Sequence, residues 1–168
     1  MLYRPSSVSY FRNFIFGVED SLVSTVGLLS GIAIADVPKS TILLTGIVLL
    51  FVEAVSMAGG SFLSEYSADE YKNQNEKIAK DTIVSSIIMF FSYFISGFIP
   101  LFPYVIFPVA EALKISVIMS VVALFVLGIV GAKISKIHIL KNGLRMAAVG
   151  GVAIIVGVLV GVWLSGIK

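Results

Sequence analysis

Carboxylates and a thioether occur in this chain where water is scarce. In the stretch Phe51 to Tyr71, FVEAVSMAGGSFLSEYSADEY, Glu53 and Met57 fall inside a membrane-length apolar run. On a helix they lie one turn apart on one face, and Gly60 and Ser64 continue the same stripe. A second acidic pair, Glu19 and Asp20, interrupts the apolar run Phe14 to Ala35. A charged side chain near a bilayer centre costs roughly 2.5–3.5 kcal/mol on insertion scales, so such a group is by default paired or functional. Carboxylate oxygens are hard ligands and a thioether is soft, and the mixture suits Fe²⁺ or Mn²⁺ better than Mg²⁺ or Ca²⁺ alone. A carboxylate ionised to hold metal can take a proton when the metal leaves, which gives a route to proton exchange. Taken singly, Met57 reads as core filler and Glu53 as an interhelical hydrogen-bond donor. The combination is what points to a cation path.

The elements that must position these groups are membrane helices. Of 168 residues, 58% are hydrophobic and 13% charged, with mean hydropathy +1.03, which excludes an ordinary soluble domain. The fold class is therefore all-α integral membrane protein, a single transmembrane domain with spans at about 14–35, 40–64, 82–101, 115–132 and 146–165. Ala33-Ile34-Ala35 mimics a signal-peptidase site, but a run near the roughly 20 residues needed to span, with two adjacent acids in it, is alien to a signal sequence. A short charged linker, 65–81, follows the second span and reads as helical and solvated. Pro100 and Pro103 are expected to end the third span, Tyr104 to Lys114 to be a short connection or interfacial piece, and Lys133 to Arg145 a basic loop.

With five spans, Arg4, Arg12, Lys72, Lys77, Lys80, Lys133, Lys136, Lys141 and Arg145 fall on one side and Lys39, Lys114 and Lys168 on the other. The positive-inside rule makes the N-terminus cytoplasmic and the C-terminus external, with Trp163 near the outer interface. Gly27 and Gly31, then Ser56, Gly60 and Ser64, then Gly157, Gly161 and Ser165 recur at the spacing of close helix contacts. Asp20 and Ser24 share the face of Gly27 and Gly31, which sets Asp20 at a helix seam and out of lipid.

The sequence holds no Cys, no HExxH, no GxSxG and no phosphate-cradling Gly loop, and its single histidine, His138, reads as a solvated loop residue. No enzyme is expected. The net charge of +2 carries no nucleic-acid footprint.

The segment Arg12-Asn13-Phe14-Ile15-Phe16-Gly17-Val18-Glu19-Asp20-Ser21-Leu22-Val23-Ser24-Thr25 resembles the first-span signature of the vacuolar iron transporter family. Ala54-Val55-Ser56-Met57-Ala58-Gly59-Gly60 resembles its second-span signature, and Ile99-Pro100-Leu101-Phe102-Pro103-Tyr104 the Pro-rich end of its third span. The similarity runs in order along nearly the whole chain. It implies a homodimer in a lipid bilayer, with a metal path near the two-fold axis lined by Asp20 and Met57, and export of Fe²⁺ or Mn²⁺ from the cytoplasm, in exchange for protons. The metal is then transported substrate, and no cofactor is implied.

The chain departs from that family in three places. Typical members carry a long cytoplasmic helical domain between the second and third spans, where this chain has only residues 65–81, so it resembles the compact members. Glu53 stands where Gly is usual, which makes it an auxiliary ligand beside Met57. Glu19 and Ser21 flank Asp20 where a small polar residue and Gly are commoner, a place where selectivity is set. Glu19, Glu65, Asp69, Glu70 and Glu76 are the candidates for a cytoplasmic entrance. The expected membrane is a prokaryotic cell membrane, the vacuole being the alternative. The rival readings are a carrier of a different cation and a non-transporting membrane scaffold, in which Asp20 and Glu53 serve as interhelical glue.

Overall fold

The computed structural model describes residues 5–73 and 80–166. It contains α1 (Pro5–Ile34), α2 (Lys39–Asn73), α3 (Lys80–Ser96), α4 (Phe98–Ile106), α5 (Val109–Ser135) and α6 (Ile139–Ser165), and no strand among the described residues. Five stretches are long and apolar enough to cross a membrane, α3 and α4 together making one of them, Lys80–Ile106. Large apolar side chains point outward along them: Leu44, Val52, Ile95, Ile118 and Leu159 are all exposed. In water this surface would drive aggregation; in hydrocarbon it is the solvated face. The chain is an integral membrane protein.

Helix ends follow local chemistry. After α1 the backbone turns through Asp36, whose φ of 55° lies in the left-handed region that Asp tolerates better than most residues, and Pro38 accepts the first bonds of α2. Lys136 takes the same conformation at the end of α5, where Ile137 N–H donates to the Ala132 carbonyl at 3.0 Å.

Several boundaries differ from the sequence expectation. Pro100 and Pro103 do not end the third span: the helix turns at Gly97 and runs on to Ile106, with Pro103 inside α4. Pro100 lies in the first turn of α4, where a missing N–H is tolerated, so the break moves upstream to the glycine. The expected connection Tyr104 to Lys114 reduces to Phe107 and Pro108 between two helices, and the expected basic loop to Lys136, Ile137 and His138. The charged linker is helical through Asn73 as the continuation of α2, and α3 begins at Lys80.

Side-chain contacts fix how the helices run. Asn13 to Ser85 and Ser21 to Tyr93 share one separation, 72 residues, so α1 and α3 are parallel and in constant register. Asn13 to Ser61 ties α1 to α2, and the short turn between these helices makes them antiparallel. Gly27 faces Ala153 and Gly31 faces Gly157, so α6 also runs parallel to α1, while α5 packs antiparallel against α6 through Gly128 and Gly143. Residues 5–13, the end of α2, the start of α3 and the α5–α6 turn thus gather at one end, the charged end. A core of Leu29, Ile42, Leu50, Ala54, Tyr93, Leu101 and Tyr104 fills the middle and the opposite end.

The glycine pairs in α1 and α6 make the close contact expected of them. A Cβ at Gly31 would lie 2.6 Å from the Gly157 carbonyl oxygen, and one at Gly161 would lie 2.2 Å from that of Gly31. The second-span stripe behaves otherwise: Gly59 and Gly60 have open space beside them, and Ser56 and Ser64 are exposed. Ser165 donates to its own helix, at Val162 O.

Candidate functional site

From the charged end inward, α1, α2 and α3 build three successive polar levels. The outermost centres on Glu65. Its Oε1 accepts from the hydroxyl of Ser9, from Arg12 at 3.2 Å, from Asn13 Nδ2 at 3.1 Å and from Ser85 Oγ at 2.8 Å. Asn13, 3% exposed, also donates to Ser61 Oγ at 2.8 Å and lies 2.6 Å from Ser85 Oγ. An apolar helix start cannot leave such groups unpaired in a bundle, and mutual pairing from three helices is the low-energy solution. Arg12 and Glu65 form the lone ion pair among the described residues.

Beneath this clasp lies a cleft of about 650 Å³, lined by Asn13, Ser56, Met57, Ser61, Ser64 and Met89 among others. Met57 is half-buried and also packs against the core. Moving four residues forward on α1 and four back on α2 from the Asn13–Ser61 contact brings Gly17 opposite Met57.

Three residues further along α1 comes Asp20, and the same register sets it opposite Glu53 and Ala54. The two carboxylates therefore share a level of α1 and α2, and the Tyr93 hydroxyl meets α1 one turn further along. That hydroxyl is 2.8 Å from Ser24 Oγ, while Ser21 Oγ donates to the Tyr93 carbonyl at 2.6 Å, which fixes α3 against this face of α1. The fold thus sets Asp20 and Glu53 at one level, with Met57 one turn away. Glu19 lies level with Arg145 of α6 by the 126-residue register that pairs Gly27 with Ala153 and Gly31 with Gly157. Among the described residues no three His, Asp or Glu side chains gather to hold an ion, so one chain offers this level two carboxylates.

The remaining acidic residues named as entrance candidates separate. Glu65 is committed to its donors, Asp69 is 3.5 Å from Thr82 Oγ1, and Glu70 is exposed. Glu76 lies outside the described residues. Sequence reasoning passed over Asn13, Ser85, Met89 and Tyr93. Their signal was the serine-rich face of the third span, in which Ser85, Ser86, Ser92 and Ser96 are all buried.

Five membrane-spanning helices, with two carboxylates at one level and a thioether a turn away on the first two, define a class of polytopic membrane protein with a polar seam. The sequence model of the VIT family matches residues 11–84 and 68–162, and the chain belongs to that family. Among its relatives, Vacuolar iron transporter homolog 4 of Arabidopsis thaliana is 29% identical, over 86% of this chain and 78% of that protein. Vacuolar iron transporter 1 of the same plant is 23% identical, over 84% and 81%. An uncharacterized protein of Methanocaldococcus jannaschii is 24% identical, over 82% and 81%.

Proposed function

We propose that this chain is a divalent transition-metal transporter that exports Fe²⁺, and Mn²⁺ beside it, from the cytoplasm in exchange for protons. The observation that carries the reading is the shared level of Asp20 and Glu53 on the facing helices α1 and α2, one turn from Met57, in a member of the VIT family. Relatives named as iron transporters support iron as substrate. Asp20 is the obligatory ligand and proton-exchange group, Met57 the soft ligand and Glu53 the auxiliary one.

Two carboxylates from one chain leave a transition-metal ion short of ligands. A second copy of the chain would supply the rest across a two-fold axis, so the working unit is a homodimer. The open small-residue face of α2, with Ser56, Gly59, Gly60 and Ser64 uncovered, suits close approach of that copy. The charged end is cytoplasmic by the distribution of Lys and Arg. A prokaryotic cell membrane is the proposed location, with an archaeal relative in support.

The test is Fe²⁺ uptake into proteoliposomes of purified protein under an imposed proton gradient, beside Asp20→Asn and Met57→Ala. Uptake by wild type and none by Asp20→Asn is the expected result. A folded wild type that carries neither Fe²⁺ nor Mn²⁺ would overturn the reading.

A further inference from the structure

Met89 has no evident role in a sequence reading, because a lone methionine in an apolar run is ordinary gap filling. Its place in the fold is specific. It is 2% exposed on α3, and its sulfur lies 3.1 Å from where a Cβ on Gly17 would stand. The 72-residue register of α1 and α3 puts Met89 beside Gly17, and the antiparallel register of α1 and α2 puts Met57 opposite the same glycine. Two helices therefore deliver a thioether to one level of α1, at the residue whose missing side chain leaves room for sulfur. Both methionines line the cleft of about 650 Å³, with the hydroxyls of Ser56, Ser61 and Ser64 and the amide of Asn13. That level falls one turn inside the Glu65 clasp and one turn short of Asp20.

We propose that Met57 and Met89 form a thioether pair within one chain that takes a soft or borderline d-block cation in this cleft, which makes Met89 a specificity-determining residue of the path. The inference rests on the transport reading for its direction of travel, whereas the shared level and cleft of the two methionines do not depend on it. Thioethers are neutral and soft: they favour Cu⁺, and Fe²⁺ or Co²⁺ over Mn²⁺, and give Mg²⁺ nothing. Because they bring no charge, they hold the ion less firmly than the carboxylates one turn deeper. The pair selects, and the carboxylates receive.

The experiment uses Ag⁺ as a soft probe on the purified full chain in detergent, and competing Fe²⁺ and Mn²⁺ uptake in proteoliposomes. Met89→Leu keeps the volume and removes the donor. It is expected to weaken Ag⁺ binding and to lower the Fe²⁺ to Mn²⁺ uptake ratio, each by about tenfold, with Mn²⁺ uptake retained. Met57→Leu should weaken Ag⁺ binding likewise, and Met119→Leu, at a lipid-facing position, should do nothing. Gly17→Ala is the second variant: its Cβ would stand 3.0 Å from Ser92 Cβ and 3.1 Å from both the carbonyl oxygen and the sulfur of Met89, and so should shift selectivity in the same direction with both methionines kept. Ag⁺ binding and uptake ratio both unchanged in folded Met89→Leu would overturn the pair while leaving the transport reading intact. Met89-dependent Ag⁺ binding by a wild type that transports neither metal would leave the pair standing and remove the transport reading.

Discussion

Helix α1 is packed in two different ways along its length. Toward α6 it offers Gly27 and Gly31, and the contact is backbone on backbone, tight at Gly27 and with no room for a methyl group at Gly31. Toward α2 and α3 it offers Asn13, Ser21 and Ser24, and the contact is made of side-chain hydrogen bonds around a cleft. Dispersion across the glycine seam is lost as soon as the helices part, whereas each polar contact in a membrane protein is worth only about 0.6 kcal/mol on average and can be exchanged for another partner. The first seam is a fixed joint. The second is a polar surface, and on the proposed reading the one along which an ion and its water pass.

The sharpest way to set the two seams apart is to remove a function without removing the fold. Asp20→Asn keeps the shape of the side chain and half its hydrogen-bonding atoms, so the bundle should remain assembled, with a melting temperature close to that of wild type. Fe²⁺ uptake should fall to background, a loss of about a hundredfold or more if the carboxylate is the obligatory ligand. Uptake that survives, or a protein that no longer folds, would make Asp20 a packing residue and erase the contrast with the glycines.

The complementary variant attacks the fixed joint. At Gly157 a Cβ would come 2.0 Å from the Gly27 carbonyl oxygen, and the obstacle is backbone, which cannot rotate away. Gly157→Ala should therefore force α1 and α6 apart and destabilise the bundle by about 1–3 kcal/mol. The measurement is a shift in thermal unfolding in detergent. Gly59→Ala or Gly60→Ala, with open space within the chain, should shift nothing unless a second copy lies there. That pair of controls doubles as a probe of the proposed dimer face.

How much of this was legible beforehand depends on whether a residue's meaning is local. The spans, Asp20 and the Glu53–Met57 pair announce themselves by charge or softness against an apolar background. So does the close packing of Gly27, Gly31, Gly157 and Gly161, because spacing alone implies it. The same spacing at Gly60 and Ser64 meets no partner within the chain, since a small-residue stripe does not say whether its partner is in the same chain. Pro100 and Pro103 misled for a related reason: proline marks a weak point in helix hydrogen bonding, but Gly97 three residues upstream offered an easier place to turn. Met89 and Asn13 gain their meaning only from register. Nothing in the sequence says that residues 13, 61 and 85, or 17, 57 and 89, share a level.

Within the polar seam, Asn13 should matter more to structure than its chemistry suggests. Asn13→Ala leaves Ser61 and Ser85 short of a partner in a buried place and removes one of the donors to Glu65. The expected loss is about 1–2 kcal/mol, smaller than at Gly157 because the hydroxyls can re-pair with Glu65 or water. Unfolding measured beside Gly157→Ala decides the order. If Asn13→Ala proves the worse of the two, the clasp is the fixed joint and the glycine seam the forgiving one.

The smallest effect should come from the acidic residues beyond the clasp. Asp69 is tied only loosely to Thr82 and Glu70 is exposed, so their charges sit in a high-dielectric surround and are screened within about 8 Å at physiological salt. The double substitution Asp69→Asn with Glu70→Gln should change Fe²⁺ uptake less than about twofold at 0.15 M salt, with a somewhat larger effect at low salt where steering of a divalent ion persists. Glu65→Gln is the informative partner, because it weakens the charge that Arg12 and Asn13 share while leaving the outer acids in place. If uptake follows Glu65 and ignores the outer pair, entry is governed where three helices meet. If the outer pair controls uptake even at high salt, ions are gathered by bound carboxylates before they reach the clasp, and the boundary of the functional seam moves outward to α2 residues 69–70.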